Sequence, residues 1–450
     1  MADSSTEGVQ VENDWLESLV ATQTQFKTID IGCLVSSLNS VVPLRQDIFE
    51  PWTRTLVSLA LPGHLGHFAD IGAFRRLLYD SLKLESLHIR HIWGLSTRPD
   101  PPSDYELMAR FFDSTVSSLL TINSLILTGI SLSDFMPCFR RFSQGALTTL
   151  HLNQCSDIDE FATDLVRMGL QGKPLKLKSL SYTCADDTLD GSENDDAEAF
   201  VRLLTCCEPL SLQRVSFDSI LYREHWPIIF GAIISQGANL RFLEVSTEFG
   251  FMRHLITDHV DIEAITAVAQ KLRALEEVAL PLHLELSDMS PENGALGDFG
   301  HVILEFVTLP NIKAVRLAAR MGANFRNDDG PVLWSERECK GRAEQVMSDL
   351  ASYFTRAAAL NRADDTKVPL FGFGDESGVH ARIIDDEYDM SWDIDWETPL
   401  FYKYLGGRKD RNGSWTRRWY PAEEENGRDF TVFVPDRKGH RREGFSVDRE

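Results

Sequence analysis

The sequence predicts an α/β fold: a solenoid whose curved parallel sheet is backed by outer helices and followed by a C-terminal capping extension. Three observations predict it. An apolar triplet, spaced as apolar, two variable, apolar, one variable, apolar, recurs ten times between Phe26 and Leu317. The segments between copies read as short amphipathic helices. Composition then changes abruptly: residues 1–317 hold 48 leucines and the remaining 133 residues only six, while five of the nine tryptophans lie in that remainder. A unit of one short strand and one helix cannot bury its apolar face alone, so copies must stack.

The clearest copy is Leu147-Thr-Thr-Leu150-His-Leu152. Units begin at Phe26, Leu56, Leu84, Ile122, Leu147, Leu177, Leu212, Leu240, Leu275 and Ile312. Their paired positions run Ile29/Ile31, Leu59/Leu61, Leu87/Ile89, Leu125/Leu127, Leu150/Leu152, Leu180/Tyr182, Val215/Phe217, Leu243/Val245, Val278/Leu280 and Val315/Leu317. Strand side chains alternate, so each pair points inward and the residue between them points to solvent on the concave face. Leucine fills all three places only at Leu56/Leu59/Leu61 and Leu147/Leu150/Leu152, so the intervening segments carry the argument. Ser156-Asp-Ile-Asp159 is a capping-box pattern that opens a helix through Ile158, Phe161, Leu165 and Met168. The acidic start Asn194–Asp196 precedes Phe200, Leu203, Leu204 and Cys207 at helical spacing, and Asp261 precedes Ile262, Ile265, Ala269 and Leu272.

These boundaries divide the chain into a repeat array at 1–325, a capping-helix region at 326–364 and an aromatic-rich extension at 365–450. Ser335–Glu338 opens the capping helix through Val346, Leu350, Tyr353, Phe354 and Ala357. Strands or extended arms are expected at Val368–Phe373, Pro399–Tyr404 and Phe430–Val434. Residues 186–198 and 385–397 each contain seven Asp/Glu. The first is expected to be a solvated loop. The second, interleaved with Trp392 and Trp396, is expected to dock. Residues 403–450 carry 12 Lys/Arg against nine Asp/Glu, which suits a tail attracted to an acidic body.

The formal net charge is −23, which argues against nucleic acid and against anionic membrane surfaces. The longest apolar run, Pro227–Ile234, is far shorter than the roughly 20 residues of a membrane span. Seven scattered cysteines with no CxxC fit free thiols in a reducing compartment, cytoplasmic or nuclear. The polar Met1–Glu7 start has no apolar signal region.

The triplets and their helical partners resemble those of leucine-rich repeat proteins, and more narrowly the irregular, ribonuclease-inhibitor-like type common in filamentous fungi, which often carries an F-box. The resemblance covers about residues 20 to 325. The gaps of 25 to 38 residues exceed the usual 20 to 29, so the convex segments are long. Pro43–Ile48 is a fragment of an F-box helix pattern and no full F-box is recognisable.

Chemistry-bearing motifs are sparse. Gly372-Phe-Gly374 with Gly378 has the wrong spacing for a dinucleotide fingerprint. His64/His67 and His88/His91 lack the Cys or carboxylate company of a metal site, and Asp393–Glu397 lacks the central glycine of a calcium loop. Cys206-Cys207 reads as core, and Trp415–Trp419 as cation–π packing. No catalytic, cofactor or metal residue is assigned and no cofactor is expected.

The expected function is a non-catalytic scaffold that presents its concave face to a protein partner. Arg214, Phe242, Glu244, Glu277 and Arg316 are its candidate contacts, since hot spots favour Arg and aromatics. The resemblance implies an alternative, the substrate-recognition subunit of a cullin-type ubiquitin ligase partnered by ligase components. A third reading is an enzyme with a site near His380, Asp385, Asp386 and Trp392.

Overall fold

The computed structural model describes residues 16, 18–31, 47–62, 72–90, 112, 119–170, 174–183, 193–219, 225–246, 262–285, 305–306 and 308–322, with short strands between 326 and 421. The fold is α/β and solenoid-like: ten parallel strands follow one another in chain order and alternate with helices. The strands are β1 (Thr28–Asp30), β2 (Ser58–Pro62), β3 (Ser86–Arg90), β4 (Ser124–Thr128), β5 (Thr149–Asn153), β6 (Ser179–Thr183), β7 (Arg214–Asp218), β8 (Phe242–Ser246), β9 (Glu277–Glu285) and β10 (Ala314–Gly322). The helices are α1 (Glu50–Thr53), α2 (Gly72–Tyr79), α3 (Leu132–Phe139), α4 (Ile158–Leu170), α5 (Glu193–Cys206), α6 (His225–Gln236) and α7 (Ile262–Lys271). Two compact units form, residues 1–212 with 217–220 and residues 213–216 with 221–450, so the division runs through β7.

In the first unit the alternation decides the register. Leu87/Ile89, Leu125/Leu127, Leu150/Leu152 and Leu180/Tyr182 are all buried, while the residues between and beside them are half-exposed. Equivalent residues stand opposite one another: Leu59, Leu87, Leu125, Leu150 and Leu180 form one row from β2 to β6. A one-residue slip would expose every buried pair, so the pattern locks the pairing.

The turns repeat as faithfully. The carbonyl just before a strand accepts two N–H groups from the next unit. Val57 takes those of Glu85 and Ser86, Glu85 those of Asn123 and Ser124, and Asn123 those of Thr148 and Thr149. The leading residue of each triplet from Leu56 to Ile312 is buried beneath this turn. Phe26, at the start of the array, is half-buried instead. It packs edge-on against Trp52 at 5.2 Å, and the Trp52 indole N–H donates to the Gln23 carbonyl at 2.5 Å.

The helices bury the predicted positions. Ile158, Phe161, Ala162 and Leu165 of α4 and Phe200, Leu203 and Leu204 of α5 are buried, whereas Met168 is half-buried. Fully burying each large apolar side chain stabilises by about 1.5–3 kcal/mol. Phe139 meets Phe161 edge-on at 5.3 Å, and Phe200 meets Phe217 at 4.2 Å.

Several local expectations are corrected. Ser156 is not the cap of α4. Asp157 precedes the helix with φ 58, and its carboxylate accepts hydroxyls from Ser131 at 2.7 Å, Ser156 at 3.1 Å and Ser133 at 3.3 Å. Aspartate tolerates that backbone because its short side chain bonds locally. Ser156 instead bridges to Ser131 of the preceding unit through the backbone. Residues 193–198 of the acidic segment 186–198 are the first turns of α5 rather than a loop. Negative charge there suits a helix N-terminus. Cys207 lies just past α5, in a bridge with Leu175, and is buried like Cys206.

In the second unit β8, β9 and β10 pair in parallel, again with Leu243, Val278 and Val315 in one row. Ile265, Val268, Ala269 and Leu272 of α7 are buried. The run Pro227–Ile234 falls within α6, which buries Trp226, Ile229, Phe230 and Ile233 and leaves Ile228 50% exposed. Beyond β10 further short strands follow: β11 (Arg326–Asn327), β12 (Gly330–Pro331), β13 (Leu370–Phe373), β14 (Ala381–Asp385), β15 (Met390–Ile394), β16 (Tyr402–Tyr404), β17 (Arg408–Lys409), β18 (Trp415–Thr416) and β19 (Trp419–Pro421). β13 extends the parallel run beside β10, and β16 and β19 continue it antiparallel. β14 and β15 pair antiparallel, with Ile383 opposite Trp392. The predicted capping helix at 335–357, the strand at Phe430–Val434, and residues 43–46, His64, His67, His91, Trp334, His380, Asp386 and Trp396 lie outside the described residues.

Candidate protein-interaction face

The alternation that buries one side of each strand presents the other. In the second unit this row reads Arg214 and Ser216 on β7, Phe242 and Glu244 on β8, and Glu277 and Ala279 on β9, all half-exposed; Ala314 and Arg316 hold the matching register positions on β10, where Ala314 is buried. Phe242 stands opposite Glu277, which stands opposite Ala314. Glu244 stands opposite Ala279, which stands opposite Arg316. The five residues expected from the sequence therefore share one sheet face, and the structure gives Arg316 its register position.

Side-chain contacts bind part of this row together. The Arg214 guanidinium lies over the Phe242 ring, 4.6 Å from its centre, and that of Arg241 lies 5.7 Å away. Each such contact contributes on the order of 0.5–1 kcal/mol at a partly exposed site. The Ser216 hydroxyl donates to Glu244 Oε2 at 3.2 Å.

Glu277 is half-buried, and its pKa is pushed up to about 7. Burial raises it most, because desolvation disfavours the carboxylate, and the nearby Arg214, Lys313 and Arg241 offset only part of this. Near neutral pH the group therefore changes between hydrogen-bond donor and bare carboxylate.

One feature of the site was not expected. Arg241, Glu276 and Lys313 each occupy the position just before the first residue of β8, β9 and β10. Stacking the repeats brings them side by side. Glu276 accepts from Arg241 and from Lys313, the latter at 2.5 Å, with its own side chain only 12% exposed. Burial raises its pKa, but the two hydrogen bonds and the two positive charges outweigh that and hold it below the usual range. The signal was available: reading the repeats in columns aligns Arg241, Glu276 and Lys313 as one alternating row of charge.

The first unit presents a chemically different face. Strands β2 to β6 contain no Asp, Glu or Lys. Ser58, Ser86, Ser124, Thr149 and Ser179 form a hydroxyl row in register. His88 Nε2 contacts Thr128 Oγ1 at 3.1 Å, and His151 Nε2 contacts Ser179 Oγ at 3.5 Å. Arg90 donates to Asp30 of β1 at 2.5 Å. Both histidines are thus on the presented face, as their places in the triplets predict.

Among the described residues no group of three His, Cys, Asp or Glu is placed to hold a metal ion, and no helix is long and apolar enough to cross a membrane. Of the residues proposed for a C-terminal enzyme site, Asp385 ends β14, opposite Met390, and Trp392 lies within β15. The Cys138, Cys155 and Cys206 thiols are pushed up to about 12, 11 and 12 by burial, and Cys207 further still. No protein-family model matches the chain, and no curated protein is significantly similar to it.

Proposed function

We propose that the protein is a non-catalytic interaction scaffold and that its sheet face receives a protein partner. The observation that carries this reading is the Arg214–Phe242 stack flanked by Glu244 and Glu277 on one presented face. An aromatic and arginines set among charged neighbours form the residue mix that concentrates binding energy in protein interfaces. The repeat architecture favours the same use, because stacked units yield an extended surface rather than an enclosed pocket. The net charge of −23 favours a protein partner over nucleic acid.

The test is a pull-down from native extract with the wild-type chain and with Phe242→Ala/Arg316→Ala. Specific partners captured by the wild type are expected to fall by about tenfold or more with the double variant, the loss of one to two hot spots. Undiminished capture by a variant that remains folded by circular dichroism refutes this use of the face.

A further inference from the structure

We infer that the turns leading into β1–β6 form a second docking surface, which takes an acidic, leucine-bearing segment of a protein partner. This surface lies beyond the sheet face and does not depend on it. The sequence carries 45 Lys/Arg against 68 Asp/Glu, yet these turns reverse the balance. Residues 23–27, 54–57, 80–85, 119–123, 140–148 and 174–178 hold seven Lys/Arg against two Asp/Glu, Asp80 and Glu85. The turn into β7 carries Glu208 and ends the basic stretch. Lys27, Arg54, Lys83, Lys176 and Lys178 are exposed, and among the described residues none of the five has an ion-pair partner.

The backbone sets these turns side by side on one edge of the first unit. The Lys27 carbonyl accepts the N–H groups of Val57 and Ser58, and the Thr148 carbonyl accepts those of Lys178 and Ser179, at the two ends of the same ladder of turns. Five strand steps of about 4.8 Å place Lys27 roughly 24 Å from Lys178, the reach of about seven extended residues. Exposed leucine is the second observation. Leu82 is 87% exposed and Leu119 57% exposed, and both lie on this edge. The Leu82 N–H donates to the Thr53 carbonyl at 3.2 Å, which sets it beside Arg54, and Lys83 follows it in the chain. Leu119 precedes Leu120, whose N–H donates to the Arg141 carbonyl at 2.9 Å. A single exposed leucine is ordinary. Two on one edge, each beside cations, make a surface that is both apolar and basic.

Charge complementarity selects the occupant. Carboxylates of an acidic segment meet cations that lack partners, and its leucines cover Leu82 and Leu119. A uniformly anionic surface, membrane or nucleic acid, meets Asp80 and Glu85 on the edge itself and a chain at net −23 behind it. A short segment touches the cations alone, and salt screens the remaining charge beyond about 8 Å.

The test titrates fluorescein-labelled peptides of repeating Glu-Leu-Glu-Ser, Gln-Leu-Gln-Ser or Lys-Leu-Lys-Ser against the full chain by fluorescence polarisation. Four proteins are compared: wild type, Lys83→Gln/Lys176→Gln/Lys178→Gln, Leu82→Ser/Leu119→Ser, and a control, Arg76→Gln/Arg167→Gln/Lys271→Gln, that removes three exposed cations from helices. Circular dichroism checks that each is folded. The Glu peptide is expected to bind wild type and control within about twofold of each other. It is expected to bind the lysine variant at least about tenfold more weakly, the summed loss of three exposed charge contacts, and the leucine variant several-fold more weakly. Undiminished binding in either variant, or equal weakening in the control, overturns the inference. So does preference for the Gln or Lys peptide. Co-sedimentation with phosphatidylserine/phosphatidylcholine vesicles without affinity for any peptide overturns it in favour of a membrane. Each of these results leaves the sheet-face reading to its own pull-down.

Discussion

The Arg214 guanidinium sits 4.6 Å from the centre of the Phe242 ring, although 27 residues separate them in the chain. They meet because each is the first presented residue of its strand, β7 and β8. A double-mutant cycle with Arg214→Ala and Phe242→Leu, read by urea unfolding, is expected to give a coupling of about 0.5–1 kcal/mol. Strict additivity of the two substitutions would show that the stack contributes nothing to the fold.

Glu277 gives the face a pH dependence. Its folded pKa of about 7 lies above the ordinary glutamate value because burial favours the protonated form. The contribution to stability is therefore complete below the ordinary value and is lost as pH rises to about 7. The charges facing it are Arg214, Lys313 and Arg241, which favour ionisation, and Glu276, which opposes it. Glu277→Gln removes the titration. At pH 8 the variant is expected to exceed wild type by about 1 kcal/mol, a value discounted for partial exposure, with the difference vanishing near pH 4. Denaturant midpoints at the two pH values check this, and a pH-independent difference would contradict it.

Cys138, Cys155, Cys206 and Cys207 are buried, and Cys206 and Cys207 donate to the carbonyls of Arg202 and Leu203. With thiols at about 11 or above, at most about one in a thousand is thiolate at pH 8. Iodoacetamide followed by peptide mapping is expected to leave these four unmodified in the native protein and modify them in guanidinium. Fast native labelling of Cys155 would show that its side of the repeat is open.

The strands were legible because two constraints coincide in them. Leu150 and Leu152 must both be buried and His151 cannot be, so three consecutive residues specify face and register together. Helices α4, α5 and α7 were legible from apolar spacing over ten or more residues. Helices α1, α2 and α3, of four to eight residues, escaped notice, and α3 carries Pro137 inside it. Ser156 misled because local spacing favours it as a cap, while the bridge to Ser131 depends on a neighbouring unit. The candidate contacts Arg214, Phe242, Glu244 and Glu277 follow from the alternation within single strands. The Arg241–Glu276–Lys313 chain depends on stacking distances across units, which single-unit reading does not reveal.

Cysteine scanning across two strands probes the presented face most directly. Single substitutions at Thr149, Leu150, His151 and Leu152 on β5, and at Phe242, Leu243, Glu244 and Val245 on β8, are labelled with a maleimide and resolved by peptide mapping. Positions 149, 151, 242 and 244 are expected to react at least about a hundredfold faster than their neighbours, since burial shields the alternate set. Uniform labelling along either strand, or the opposite alternation, would remove the surface on which the proposed partner docks.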